Sequence, residues 1–118
     1  GAYNQLIMDG SQVFRHAVKR MSASTLELLQ RVGASVDNID LLIPHQANQR
    51  IIDAVGKRIG IGTDRVYVNV DRLGNTGSGS VPIALWEAYS AGQISKGDFV
   101  VLTAFGAGFH WASAALQF

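Results

Sequence analysis

With 118 residues the chain has the length of one domain, large enough to bury a core. Its formal net charge of +1 gives no case for nucleic acid, which calls for a concentrated basic face, and its lack of cysteine excludes disulfides, thiolate metal sites and a cysteine nucleophile of its own. At 47% hydrophobic and 16% charged, with no apolar run of membrane-spanning length and no signal-peptide pattern, it reads as a cytoplasmic, non-membrane chain that meets another domain or subunit through part of its apolar surface.

Residues 3–8 form the first predicted strand, after which Asp9, Gly10 and Ser11 supply turn and cap chemistry. A long helix follows. Phe14, Ala17, Val18, Met21, Thr25, Leu28, Leu29 and Val32 recur at helical steps and define its buried face, and Gly33 closes it. The apolar run 39–43 is the second strand. Ile51, Ile52, Val55 and Ile59 mark one face of a second helix that ends at Gly60. Residues 66–70 read as the third strand. The turn Gly74-Asn75-Thr76-Gly77-Ser78-Gly79-Ser80 opens a third helix with the stripe Val81, Ala84, Leu85, Ala88 and Tyr89. Residues 99–105 and 109–118 are two apolar strands, close enough across Gly106-Ala107-Gly108 to form a hairpin. This order predicts an α/β fold of three layers, α/β/α, around a mixed five-stranded sheet that ends in an antiparallel pair.

The segment Pro44-His45-Gln46-Ala47-Asn48 carries the strongest chemical signal. An apolar strand runs into a histidine held by the start of a helix, and ligands of such folds collect beyond the carboxyl ends of the strands. By itself His45 reads equally well as a core histidine satisfied by backbone. Topology adds two neighbours: if the strands run parallel, His45, Asn75 and the Gly106-Ala107-Gly108 turn reach one edge of the sheet. Asn75 also reads as a left-handed turn residue without chemistry, and the glycine turn as a plain hairpin. The 74–80 loop has the glycine spacing of a phosphate loop, yet Ser80 stands where that motif needs lysine. His16 and His110 lack acidic or histidine neighbours at ligand spacing, so no metal site is expected.

Taken together, Pro44-His45-Gln46-Ala47-Asn48, Gly74-Asn75-Thr76 and Ala104-Phe105-Gly106-Ala107-Gly108-Phe109 resemble, in order and spacing, the C-terminal half of β-ketoacyl-acyl carrier protein synthase III, a condensing enzyme of the thiolase-like superfamily. Met8-Asp9-Gly10 and Arg50-Ile51-Ile52 extend the likeness over the whole chain. The resemblance implies that residues 1–118 are one thiolase-like half. The other half, N-terminal and absent from this sequence, would carry the nucleophilic cysteine. It further implies an acyltransferase of fatty acid biosynthesis that condenses an acyl-CoA primer with malonyl-acyl carrier protein, works as a homodimer when complete, and needs no cofactor beyond its thioester substrates. Isolated, the fragment would be inactive.

The same resemblance assigns roles. His45 and Asn75 correspond to the histidine and asparagine whose hydrogen bonds stabilise the charge on the malonyl thioester oxygen during decarboxylation, His45 through a neutral Nε2–H. Ala107 corresponds to a backbone oxyanion donor in a turn where many relatives have glycine. Gly10 and Asn48 fall near the pantetheine arm and Phe105 on a wall of the acyl tunnel. Arg15, Arg50, Lys57 and Arg58 fall on the basic surface that meets acyl carrier protein; the spacing of Arg50 and Lys57, two turns apart on one helix, agrees independently. A ketosynthase of polyketide or secondary metabolism with the same Cys-His-Asn set, and a noncatalytic binding module, are the alternative readings.

Overall fold

The computed structural model describes residues 10–46, 48–74, 80–106 and 110–118, with residues 105, 106, 110 and 111 described by backbone alone. Helix α1 (Gly10–Val32) leads through a short 3-10 turn to strand β1 (Leu41–Pro44) and helix α2 (Gln49–Ile59). A second 3-10 turn and the single-turn helix α3 (Val70–Leu73) precede helix α4 (Ser80–Ser90), and strands β2 (Phe99–Gly106) and β3 (His110–Gln117) close the chain.

The sheet has the order β1-β2-β3. β1 runs parallel to β2, with Leu41 opposite Val100 and Pro44 opposite Thr103; β2 and β3 are antiparallel, from Phe99 opposite Gln117 to Gly106 opposite His110. Successive side chains of a strand point to opposite faces, and the apolar β1 therefore serves two cores. Leu41 and Ile43, with Val100, pack against Ala84 and Ala88 of α4 and against Tyr67 and Ile94. Leu42 and Val101 face the other way, onto Leu29 of α1 and Ile59 and Ile61 at the end of α2. Fully burying an aliphatic side chain of this size contributes about 1.5–3 kcal/mol, so β1 is the centre of the fold although it is short.

Helix α1 is joined to the sheet by hydroxyls as well as by apolar contact. Ala17, Val18 and Met21 meet Ile51 and Val55 of α2. Beside them, Thr103 Oγ1 donates to the Met21 carbonyl at 3.3 Å and accepts from Ser113 Oγ at 3.0 Å, while Ser113 and Ser24 share a hydrogen bond of 2.7 Å. Thr25 sits within the apolar stripe because its hydroxyl is satisfied by the Met21 carbonyl one turn back, at 2.8 Å. Gly33 and Gly60 end α1 and α2 with φ of 71° and 82°, the left-handed conformation that glycine adopts without strain.

The sheet departs from the five-stranded expectation. Three strands form among the described residues, and the predicted strand 3–8 lies outside them. The segment 66–70 is not a strand: Val66 makes a single parallel bridge to Leu42, Tyr67 N–H donates to the Leu42 carbonyl at 2.9 Å, and the chain turns into α3. The physical reason is a side chain. Gln46 Oε1 accepts from the backbone N–H groups of Asn69 and Val70, which satisfies donors that a continuing ladder would have used. Two apolar positions are also more open than their periodicity suggests. Val32, in the last turn of α1, is 52% exposed and Tyr89 of α4 is 61% exposed. Among the described residues no helix is long and apolar enough to cross a membrane.

Candidate active site

His45 follows β1 directly, and three contacts fix it. Its backbone N–H donates to the Thr103 carbonyl at 2.7 Å, continuing the β1-β2 ladder by one residue. Its ring Nδ1 lies 2.5 Å from Ser80 Oγ, the first residue of α4. The next N–H, of Gln46, donates to the same hydroxyl at 3.2 Å. The ring is half-buried, and loss of solvation lowers its pKa from the ordinary value of 6.5. His45 is therefore a neutral imidazole near pH 7.

Gln46 holds the loop from below. Its side chain is fully buried and makes four hydrogen bonds: Nε2 donates to the Pro44 and Tyr67 carbonyls at 2.8 and 3.1 Å, and Oε1 accepts from Asn69 and Val70 at 2.7 and 3.1 Å. Both carboxamide ends are thus used, and the loop after β1 is tied to the segment that leads into α3. Tyr67 is anchored in turn. Its hydroxyl donates to the Glu87 carboxylate, which Arg72 also engages; burial first, and then the carboxylate, push the tyrosine up to about 12.

Asn48 ends the loop as the N-cap of α2, its Oδ1 accepting from Ile51 N–H at 2.9 Å. It shares a concavity of about 530 Å³ with Gly10, Phe14 and Arg50. The guanidinium of Arg50 lies over the Phe14 ring, 4.8 Å from its centroid. The structure thereby brings together two predicted substrate-binding residues, Gly10 and Asn48, and one predicted basic-surface residue. Arg15, Lys57 and Arg58 are exposed, as is Arg50. Phe105 lies in β2 opposite Trp111. Asn75 and Ala107 fall outside the described residues, as does the Gly106 to Gly108 turn in its central and last positions.

The sequence context of Ser80, Gln46 and Thr103 assigns none of them a role at the site. Ser80 follows a Gly- and Ser-rich stretch of sequence, and its partner is 35 residues away. For Gln46 a signal was present: a polar residue between an apolar strand and a helix cap is a candidate for a buried, fully bonded amide.

The neutral state of His45 has a measurable consequence. Because the folded pKa is depressed, its contribution to stability is complete above the unfolded value of 6.5 and is lost as pH falls through the folded pKa. Histidine ring titration by NMR is expected to place the midpoint of His45 below 6.5. A midpoint above 6.5 would show that the ring gains a charge partner and does not act as a neutral group.

The profile of the 3-oxoacyl-[acyl-carrier-protein] synthase III C-terminal family matches residues 29–118. The β-ketoacyl-[acyl-carrier-protein] synthase III of Roseiflexus castenholzii is 50% identical over 112 residues, 95% of this chain and 34% of its own length. The crystal structure of the corresponding synthase from Thermus thermophilus, also 50% identical, superposes with a TM-score of 0.89 over 95% of this chain and 35% of its own. That of the Aquifex aeolicus 3-oxoacyl-[acyl-carrier-protein] synthase III superposes with a TM-score of 0.92 at 38% identity, over 95% and 36%. The chain spans about a third of the length of these relatives. With the family profile on most of the sequence and its fold on nearly all of it, this chain belongs to the 3-oxoacyl-[acyl-carrier-protein] synthase III C-terminal family.

Proposed function

We propose that this chain is the C-terminal catalytic domain of a 3-oxoacyl-acyl carrier protein synthase III, an acyltransferase of fatty acid biosynthesis. It would contribute His45 and Asn75 to the decarboxylative condensation of an acyl-CoA primer with malonyl-acyl carrier protein. The observation that carries this reading is His45: a half-buried imidazole at a strand end, its pKa lowered by burial, held through its backbone by Thr103 and through its ring by Ser80.

In the proposed reaction a cysteine of the N-terminal half first takes the acyl group from CoA as a thioester. The bond between the malonyl α-carbon and its carboxylate then breaks, carbon dioxide leaves, and the electron pair forms an enolate on the acyl carrier protein thioester. His45 and Asn75 donate to that oxygen as its charge grows. Preorganised donors in a site shielded from water contribute about 3–4 kcal/mol each to such a step. The α-carbon attacks the acyl-cysteine carbonyl, and the cysteine thiolate leaves as the β-ketoacyl product forms. The Ala107 backbone N–H is assigned to the oxyanion of this second step, Phe105 to the acyl tunnel, and Gly10 and Asn48 to the pantetheine arm. Arg15, Arg50, Lys57 and Arg58 are assigned to acyl carrier protein, where complementary charge mainly accelerates encounter. The reaction draws its groups from two thioesters and from side chains, and the complete enzyme would work in the cytoplasm as a homodimer.

The test is complementation. A complex of this chain with the whole N-terminal remainder of such a synthase, the part bearing the cysteine, given acetyl-CoA and malonyl-acyl carrier protein, is expected to form acetoacetyl-acyl carrier protein, while each part alone forms none. A stable complex that yields no condensation product would overturn the assignment.

A further inference from the structure

The Ser80 hydroxyl has two partners among the described residues, His45 Nδ1 at 2.5 Å and the Gln46 backbone N–H at 3.2 Å. The N–H can only donate, so Ser80 Oγ accepts from it. The serine has one proton of its own, and Nδ1 stands within reach of it. We propose that Ser80 is a positioning residue that donates to His45 Nδ1 and so fixes the neutral Nε2–H tautomer, leaving the ring proton on the nitrogen remote from the serine.

The surroundings suit this role. Ser80 is 1% exposed and opens α4, whose Ala84 and Ala88 are locked into the core against Leu41 and Ile43. The hydroxyl is thus presented from a rigid element, and the His45 backbone is pinned independently by Thr103. Burial keeps the ring neutral, so that Nδ1 retains the lone pair an incoming O–H needs. Direction decides the chemistry. A ring fixed by an O–H at Nδ1 offers Nε2–H as a hydrogen-bond donor, whereas a ring donating from Nδ1 to the serine offers the Nε2 lone pair as a base. The first arrangement stabilises a developing oxyanion without removing a proton. Its catalytic consequence rests on the function proposed above; the tautomer does not.

The experiment has two arms. The chain, 15N-labelled at histidine, is recorded above neutral pH in two-bond 1H–15N spectra, with His45→Gln used to assign the His45 signals. Nδ1 is expected at the shift of an unprotonated ring nitrogen and Nε2 at that of a protonated one. Ser80→Ala should draw the two shifts together as tautomers mix, and Ser80→Thr, which keeps a hydroxyl, should restore the separation. A parent ring protonated at Nδ1, or a Ser80→Ala spectrum with the separation unchanged, overturns the proposal without recourse to activity. In the second arm, Ser80→Ala in the assembled enzyme should lower the rate of malonyl decarboxylation about 10- to 100-fold with KM little changed, by analogy with the loss of a group that orients a metal-bound histidine. Decarboxylation unaffected by His45→Gln as well would overturn the function and leave the tautomer assignment standing. Decarboxylation that depends on His45 but not on Ser80 would overturn the positioning role.

Discussion

Replacing His45 by alanine in the assembled enzyme is expected to lower malonyl decarboxylation about 100- to 1,000-fold while leaving acylation of the partner half's cysteine largely intact, as loss of one oxyanion donor does. The split follows from where charge develops. Decarboxylation places a negative charge on the malonyl thioester oxygen, and His45 is assigned to that atom; acylation develops its charge on the primer's acyl carbonyl, the one whose oxyanion is assigned to the Ala107 backbone N–H. His45 suits a donor role because its ring is neutral and its Nδ1 side is occupied by Ser80. Asn75→Ala is expected to fall in the same step by a similar factor, on the strength of the resemblance. Two donors to one oxygen act as a unit, so the double variant should fall well short of the product of the single effects. Release of labelled carbon dioxide from malonyl-acyl carrier protein measures decarboxylation, and single-turnover transfer of a labelled acyl group measures acylation. Equal loss of both half-reactions would count against the assigned roles.

What the sequence reveals and what it hides divide along contact distance. The helical stripes of Ala17, Val18 and Met21 and of Ile51, Ile52 and Val55 are legible because a helix repeats its buried face locally. The apolar β1 and its exit into His45 are legible for the same reason. The 66–70 segment is not: its valines and tyrosine favour a strand, but a glutamine twenty-odd residues earlier takes the backbone donors of Asn69 and Val70. Tyr89 continues the apolar spacing of α4, yet it is largely exposed, and its ring lies beside that of Phe118 at the end of the chain, a contact 29 residues away in sequence. The candidate site shows the same division. His45 carries its own chemical signal, while Ser80 acquires significance only when the fold brings α4 against the end of β1. The placing of Gly10 and Asn48 beside one concavity is tertiary too, and neither residue's local pattern announces it.

Replacing Gln46 by leucine is expected to destabilise the chain by about 3–5 kcal/mol, although leucine is similar in size and more apolar. Gln46 has no exposed surface, and its carboxamide satisfies two carbonyls and two backbone N–H groups. Leucine leaves all four without a partner in a buried place, where each unsatisfied group costs about 1–3 kcal/mol and entering water recovers part of the sum. Domains of this kind have about 5–15 kcal/mol of stability in all, so the change removes a large share. Urea denaturation should show the midpoint moving sharply down with its slope unchanged, and an unchanged midpoint would mean that the four hydrogen bonds contribute nothing net. Gln46→Glu separates hydrogen bonding from shape. A carboxylate can still accept from Asn69 and Val70, but it cannot donate to the Pro44 and Tyr67 carbonyls, and burial raises its pKa. The glutamate variant should therefore be strongly destabilised at neutral pH and recover part of the loss as acidification protonates the carboxyl and returns one donor. The leucine variant has no such proton to gain, and relative to the parent its deficit should stay constant over the same pH range.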